Sequence, residues 1–364
     1  MGFSIGIVGL PNVGKSTLFK ALTKKQVDIA NYPFCTISPN KGIVEVPDER
    51  LKKLADFYSS QKIVPTAIEF WDVAGLVSGA HKGEGLGNQF LSHIREVDAI
   101  CQVVRYFKDD NIVHVAGKVD PMNDREVINI ELALADLETV KKHVEKLKTK
   151  LKGLKTQEAK DTQKIIDLLS SKIVPALEEG KLVKKIGLKD EELESIKYLS
   201  LLTAKPMFYV LNVDETTLGK EIDLSLVGLE GELVVPICAR LEADLVELSK
   251  EEVDEYLKTF GLKYTGLDKI VLSSYELLSL ITFFTAGPKD SHAWTIVRGA
   301  KAPEAAGAIH TDFQRGFIAA EIINWRDLID AGSEAAAKEK GLIRLCGKEY
   351  IVADGDVCVF RFNV

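Results

Sequence analysis

Over the first 128 residues, short apolar runs at 5–8, 67–73 and 99–104 alternate with helix-like segments such as 16–22. That rhythm predicts an α/β fold around a mostly parallel sheet. From about Asn129 the period changes. Leu137, Val140, Val144, Leu147, Leu151 and Leu154 fall at alternating spacings of three and four, the seam of a heptad pattern. A second amphipathic run carries Ile165, Leu168, Leu169 and Ile173 and is stopped by Pro175 and Gly180, and a third covers 190–202. These predict a helical hairpin over 129–204.

After Pro206 the α/β texture resumes, with buried-strand patterns at 207–211 and 233–239. The hairpin is therefore an insertion, and the domain it interrupts comprises 1–128 and 205–279. From 280 to 364 the chain becomes strand-rich, with runs at 282–285, 293–297, 317–323 and 357–362 and an Asp354-Gly355 turn before the last. A separate C-terminal β domain is expected there.

Composition narrows the function classes. The 364 residues are 46% hydrophobic and 28% charged, enough for two or three cores. No apolar stretch approaches the ~20 residues of a membrane helix, and no leader pattern precedes the first strand. The five cysteines, Cys35, Cys101, Cys238, Cys346 and Cys358, contain no Cys-x-x-Cys pair, which argues against disulfides or zinc and for a reducing cytoplasm. A net charge of −7 disfavours wholesale wrapping of nucleic acid but permits a local basic patch.

The strongest chemical signal is Gly9-Leu-Pro-Asn-Val-Gly14-Lys15-Ser16, a G-x-x-x-x-G-K-[ST] match between a predicted strand and a predicted helix. Its glycines let consecutive backbone N–H groups face phosphate oxygens at a helix N-terminus. Lys15 is expected on the β- and γ-phosphates and Ser16 on magnesium. Downstream, Asp72-Val-Ala-Gly75 follows a strand pattern, so Asp72 would hold magnesium through water and Gly75 would offer an N–H to the γ-phosphate. Thr36 is the candidate hydroxyl closing over the metal. The glycine-rich stretch 77–87 reads as a switch.

The base is read from a second site. Guanine-specific proteins of this fold use Asn-Lys-x-Asp, whose carboxylate accepts from guanine N1 and N2. Here the strand pattern 207–211 is followed by Asn212-Val213-Asp214-Glu215, with no lysine and with Glu215 in place of the aspartate. Adenine lacks the N2 donor and presents an N1 acceptor, so losing the bidentate carboxylate favours ATP. The nucleotide-contacting set is Asn12, Val13, Gly14, Lys15, Ser16 and Thr17 with Asn212, Val213 and Glu215. In it Asn212 is expected to brace the phosphate loop, and Val213 can lie against the purine face. The segment Pro236-Ile-Cys-Ala-Arg240 stands where GTPases carry Ser-Ala-Lys.

Together with Asn31-Tyr-Pro-Phe-Cys-Thr36 and Lys82-Gly-Glu-Gly-Leu-Gly-Asn-Gln-Phe90, these motifs make the chain resemble the YchF / Obg-like ATPase family over nearly its whole length. The resemblance implies a Ras-like P-loop NTPase domain, an inserted helical coiled-coil hairpin and a C-terminal β-grasp (TGS) domain. The Thr-Gly-Ser tripeptide itself is Thr285-Ala286-Gly287 here. Leu76 stands where Ras-like proteins place the glutamine that orients water, implying slow hydrolysis or a recruited group. His114 is the first candidate for that group and Lys15 and Gly75 its catalytic companions, with His81 a weaker choice. In potassium-dependent relatives the asparagine at the Asn12 position helps hold a monovalent cation, so K+ joins Mg2+ and ATP as an expected ligand. Seven lysines between Lys141 and Lys155 form a basic stripe on the hairpin. The resemblance links it, with the TGS domain, to the ribosome, its large subunit and RNA, for a monomer with no membrane contact. Two other readings stand beside the ATPase: an Obg-type GTPase switch, and an RNA- or ribosome-binding module with incidental hydrolysis.

Overall fold

A computed structural model describes residues 2–24, 40–73, 86–115, 117–153, 155 and 157–363. Cys35, Thr36, Gly75, Leu76 and His81 lie outside the described residues.

Among the described residues, twelve strands form two six-stranded sheets. In chain order they are β1 (Ser4–Val8), β2 (Lys41–Glu45), β3 (Lys62–Val64), β4 (Ala67–Asp72), β5 (Ala99–Arg105), β6 (Met207–Asn212), β7 (Val234–Ile237), β8 (Leu280–Ala286), β9 (Asp290–Val297), β10 (Phe317–Asn324), β11 (Arg344–Cys346) and β12 (Asp356–Phe362). The first sheet runs β2-β4-β1-β5-β6-β7, parallel except for β2. Every residue of β1, β5 and β6 is buried, as expected of central parallel strands covered on both faces. Register brings Ile7 beside Asp72, Arg105 beside Asn212 and Asn212 beside Ile237, so the C-terminal strand ends share one edge. At such an edge, next to a helix N-terminus, α/β sheets place their ligands.

Among the described residues up to 151 the helices are α1 (Lys15–Lys24), α2 (Glu49–Tyr58), α3 (Leu86–Glu96) and α4 (Pro121–Leu151). Helix α4 starts well before the heptad seam. Asp120 caps it by accepting from the Asn123 N–H, and Pro121 occupies the first turn. Ile128, Leu132 and Ala135 join the core of the first sheet, whereas Val140 and Val144 join a second core with Ile166, Leu169, Ile173 and Leu177. One helix thus belongs to the sheet at its start and to the hairpin at its end.

The second sheet runs β11-β10-β12-β8-β9-β3. Its core of Ile281, Phe283, Ile296, Phe317 and Ile322 packs under the helix Ala302–Ile309. Strand β3 comes from the excursion between β2 and β4 and pairs in parallel with β9, Val64 beside His292. Leu51 and Leu54 of α2 pack with Phe284, Ala293 and Val357 on the same sheet. Arg50 fastens this excursion further, donating to Asp48 and, at 2.6 Å, to Asp354 in the Asp-Gly turn.

Candidate nucleotide site

The phosphate end is built where β1 turns into α1. At Gly9 a Cβ would stand 2.5 Å from the Val103 carbonyl oxygen. Gly14 has φ +100, and a Cβ there would overlap the Asn212 amide nitrogen. Both positions therefore require glycine. Asn12 sits in the left-handed region at φ 62, which asparagine tolerates, and its Nδ2 donates to the Val113 carbonyl at 3.1 Å.

Lys15 is buried, and its Nζ donates to the Leu10 carbonyl at 2.6 Å. Burial lowers its pKa to about 8, against the opposing pull of the Asp72 charge. Burial raises the Asp72 carboxyl in turn, opposed by Lys15. The hydroxyl of exposed Ser16 and this half-buried carboxylate are hard oxygen donors of the kind magnesium takes. Their chemistry fits such an ion. Among the described residues no group of three or more His, Cys, Asp or Glu side chains is placed to hold a metal.

Asn212 joins the phosphate end to the base end. Its Nδ2 donates to the Val13 carbonyl at 2.9 Å, its Oδ1 accepts from the Ala239 N–H at 3.0 Å, and its own carbonyl accepts from the N–H groups of Tyr106 and Phe107. Asp214 Oδ1 accepts from the Thr216 hydroxyl and the Thr217 N–H, which lowers its pKa and commits it to the turn. Glu215 is exposed beside it and faces the cavity.

That cavity, about 670 Å³, is lined by Asn12, Gly14, Lys15, Ser16 and Thr17, by Asn212, Val213 and Glu215, and by Cys238, Ala239 and Arg240. A volume of this size suits a nucleotide-sized ligand. A third wall, Phe107, Lys108, Asp109 and Ile112, has no counterpart among the sequence motifs. The sequence signal for it is an apolar strand, interrupted only by Gln102, that ends in a charged residue, Arg105.

His114 stands next to the phosphate loop in the chain path, one residue beyond the carbonyl that Asn12 holds. Its ring is buried, however, with Nε2 at 2.8 Å from Asp124 Oδ2 at the start of α4, and it does not line the cavity. The Asp124 carboxyl is raised by burial, opposed by its hydrogen bond to His114.

A glycine-rich loop wrapped on a helix N-terminus, a buried lysine beside a strand-end aspartate and a base pocket at the same sheet edge define a P-loop nucleotide-binding protein. Family models agree: one described as a 50S ribosome-binding GTPase matches residues 4–138, and the YchF-type C-terminal model, described as a protein of unknown function (DUF933), matches 280–363. The chain is 52% identical to the ribosome-binding ATPase YchF of Bacillus subtilis and 51% identical to that of Haemophilus influenzae, in each case over 100% of both chains. The solved structure of the Schizosaccharomyces pombe YchF GTPase matches with TM-score 0.87 at 40% identity, covering 99% of this chain and 98% of that one. The chain belongs to the YchF family.

Proposed function

We propose that this chain is a magnesium-dependent ATPase whose nucleotide state controls binding to the ribosome. The observation that carries the reading is the cavity that joins the phosphate loop to Asn212, Val213 and Glu215. The names of the curated relatives support both the reaction and the partner.

In this reading the loop N–H groups and Lys15 bind the β- and γ-phosphates, Lys15 exchanging the Leu10 carbonyl for phosphate oxygen. Ser16 and Asp72, with Thr36, hold magnesium, which when bound neutralises phosphate charge. Gly75 supplies its N–H to the γ-phosphate. His114 handles the attacking water by giving up Asp124, and Asn12 helps seat K+. The hairpin stripe meets RNA of the large subunit. Three of its lysines, Lys141, Lys142 and Lys148, pair with Glu178, Glu138 and Glu145 on exposed surface, contacts weak enough to exchange for phosphates. The protein acts as a cytoplasmic monomer. Among the described residues no helix is long and apolar enough to cross a membrane.

One assay series tests this reading. ATP hydrolysis, in potassium against sodium buffer, and nucleotide-dependent co-sedimentation with ribosomes are measured for wild type, Lys15→Ala and His114→Ala. Lys15→Ala is expected to lower hydrolysis about 10²–10³-fold and to abolish the nucleotide dependence of co-sedimentation. Unchanged co-sedimentation would favour the incidental-hydrolysis module. His114→Ala at the wild-type rate would remove His114 from the mechanism, and equal rates in the two buffers would remove K+. A GTPase remains the second reading, because the solved relative is named a GTPase and Glu215 presents an exposed carboxylate.

A further inference from the structure

Arg105 closes β5 and is 1% exposed, the largest of the fully buried side chains among the described residues. Its Nε donates to the Phe107 carbonyl at 3.3 Å, Nη1 to Ile112 at 3.1 Å and Nη2 to Asp109 at 3.1 Å. The guanidinium also lies over the Phe107 ring, 4.4 Å from its centroid. Among the described residues it forms no ion pair, although its charge acts on the buried Asp124 carboxyl. A buried charge satisfied by carbonyl oxygens of one short loop holds that loop in one shape.

The loop so held is the third wall of the cavity. It is tied at one end to Asn212, whose carbonyl accepts from the Tyr106 and Phe107 N–H groups, and at the other to the phosphate loop, through Asn12 and the Val113 carbonyl. Because β5 lies between β1 and β6, the wall rises between the two ends of the site, and its first residue is fastened at the base end.

We propose that Arg105 is a positioning residue for nucleoside recognition: its three-carbonyl grip shapes the 107–112 wall against the base and ribose, while phosphate binding is left to the Gly9–Ser16 loop. This rests on the nucleotide reading of the cavity. Lysine cannot replace arginine here, since one ammonium cannot reach three carbonyls spread over residues 107–112 as a planar fork does.

Calorimetric affinities of magnesium ATP and magnesium tripolyphosphate are compared for wild type, Arg105→Lys and Arg105→Met, alongside steady-state KM and kcat. The expected result is ATP binding weakened about tenfold or more, tripolyphosphate binding changed less than about twofold, and the loss carried by KM. Equal weakening of both ligands, or of neither, overturns the role of Arg105. Wild type that binds neither ligand overturns the nucleotide reading itself. If both variants fail to fold, a glycine inserted between Asp110 and Asn111 leaves Arg105 and its bonds to Phe107 and Asp109 in place but shifts the Ile112 carbonyl out of its reach, opening the three-carbonyl grip, and the same two outcomes apply.

Discussion

The two ends of the cavity are built by different means. At the phosphate end, eight consecutive residues curl on themselves, and steric necessity at Gly9 and Gly14 fixes their path. At the base end, three segments distant in sequence, 107–112, 212–216 and 238–240, meet at the strand edge. The first is held by backbone geometry, the second by side chains that bond to carbonyls, Asn212 and Arg105. A contiguous phosphate loop constrains its own chemistry tightly, whereas an assembled base pocket can change specificity by exchanging one residue.

The two ends are most severely damaged by a change at Gly14. Gly14→Ala places a Cβ into the Asn212 amide at a φ of +100, so the loop and its brace are damaged together. A loss on the order of 2–4 kcal/mol is expected in denaturant unfolding, with nucleotide binding abolished. A stable variant that still binds ATP would show that the loop does not need this path.

Asn212→Ala is the next largest. It removes the buried hydrogen bonds to Val13 and Ala239 and leaves a carbonyl and an N–H without their partners. A loss of about 1–3 kcal/mol is expected. ATP affinity should fall more than tripolyphosphate affinity, because the base end loses its anchor, whereas the loop loses one bond at Val13 but keeps the path set at Gly9 and Gly14.

The smallest effect concerns the Lys15 charge. Burial lowers its pKa from 10.5 to about 8, so between those values the unfolded chain binds more protons than the folded one. Stability of the nucleotide-free protein therefore gains a contribution as pH rises from about 8 to 10.5. Phosphate binding favours the charged amine, so ATP binding near pH 8.5 should take up a fraction of a proton, measurable by calorimetry in buffers of different ionisation enthalpy. Proton release would contradict the assignment.

The contrast between the two ends also sets what the sequence discloses. The phosphate loop is legible because its chemistry is contiguous and its flanking strand and helix are regular, and Asn212 to Glu215 is legible because it follows an apolar strand. The 107–112 wall carries no motif, since any backbone carbonyl serves Arg105 as an acceptor. The excursion through α2 and β3 is hidden for another reason. Strand β3 has three residues with two of them exposed, so it lacks the period-2 pattern that would assign it to the second sheet. The early start of α4 is masked because Asp124, Arg125, Asn129, Glu131 and Asp136 are buried polar residues in its first half, where periodicity expects apolar ones. His114 is legible as a histidine near the site, but its hold on Asp124 depends on that hidden helix start.

In a pocket without the Asn-Lys-x-Asp carboxylate, Glu215 is proposed to select adenine. Calorimetric titration of the full chain with non-hydrolysable magnesium ATP and GTP analogues tests it directly. The ATP analogue is expected to bind at least about tenfold tighter, and Glu215→Asp to narrow the gap. Equal or tighter binding of the GTP analogue by the unaltered chain would contradict it.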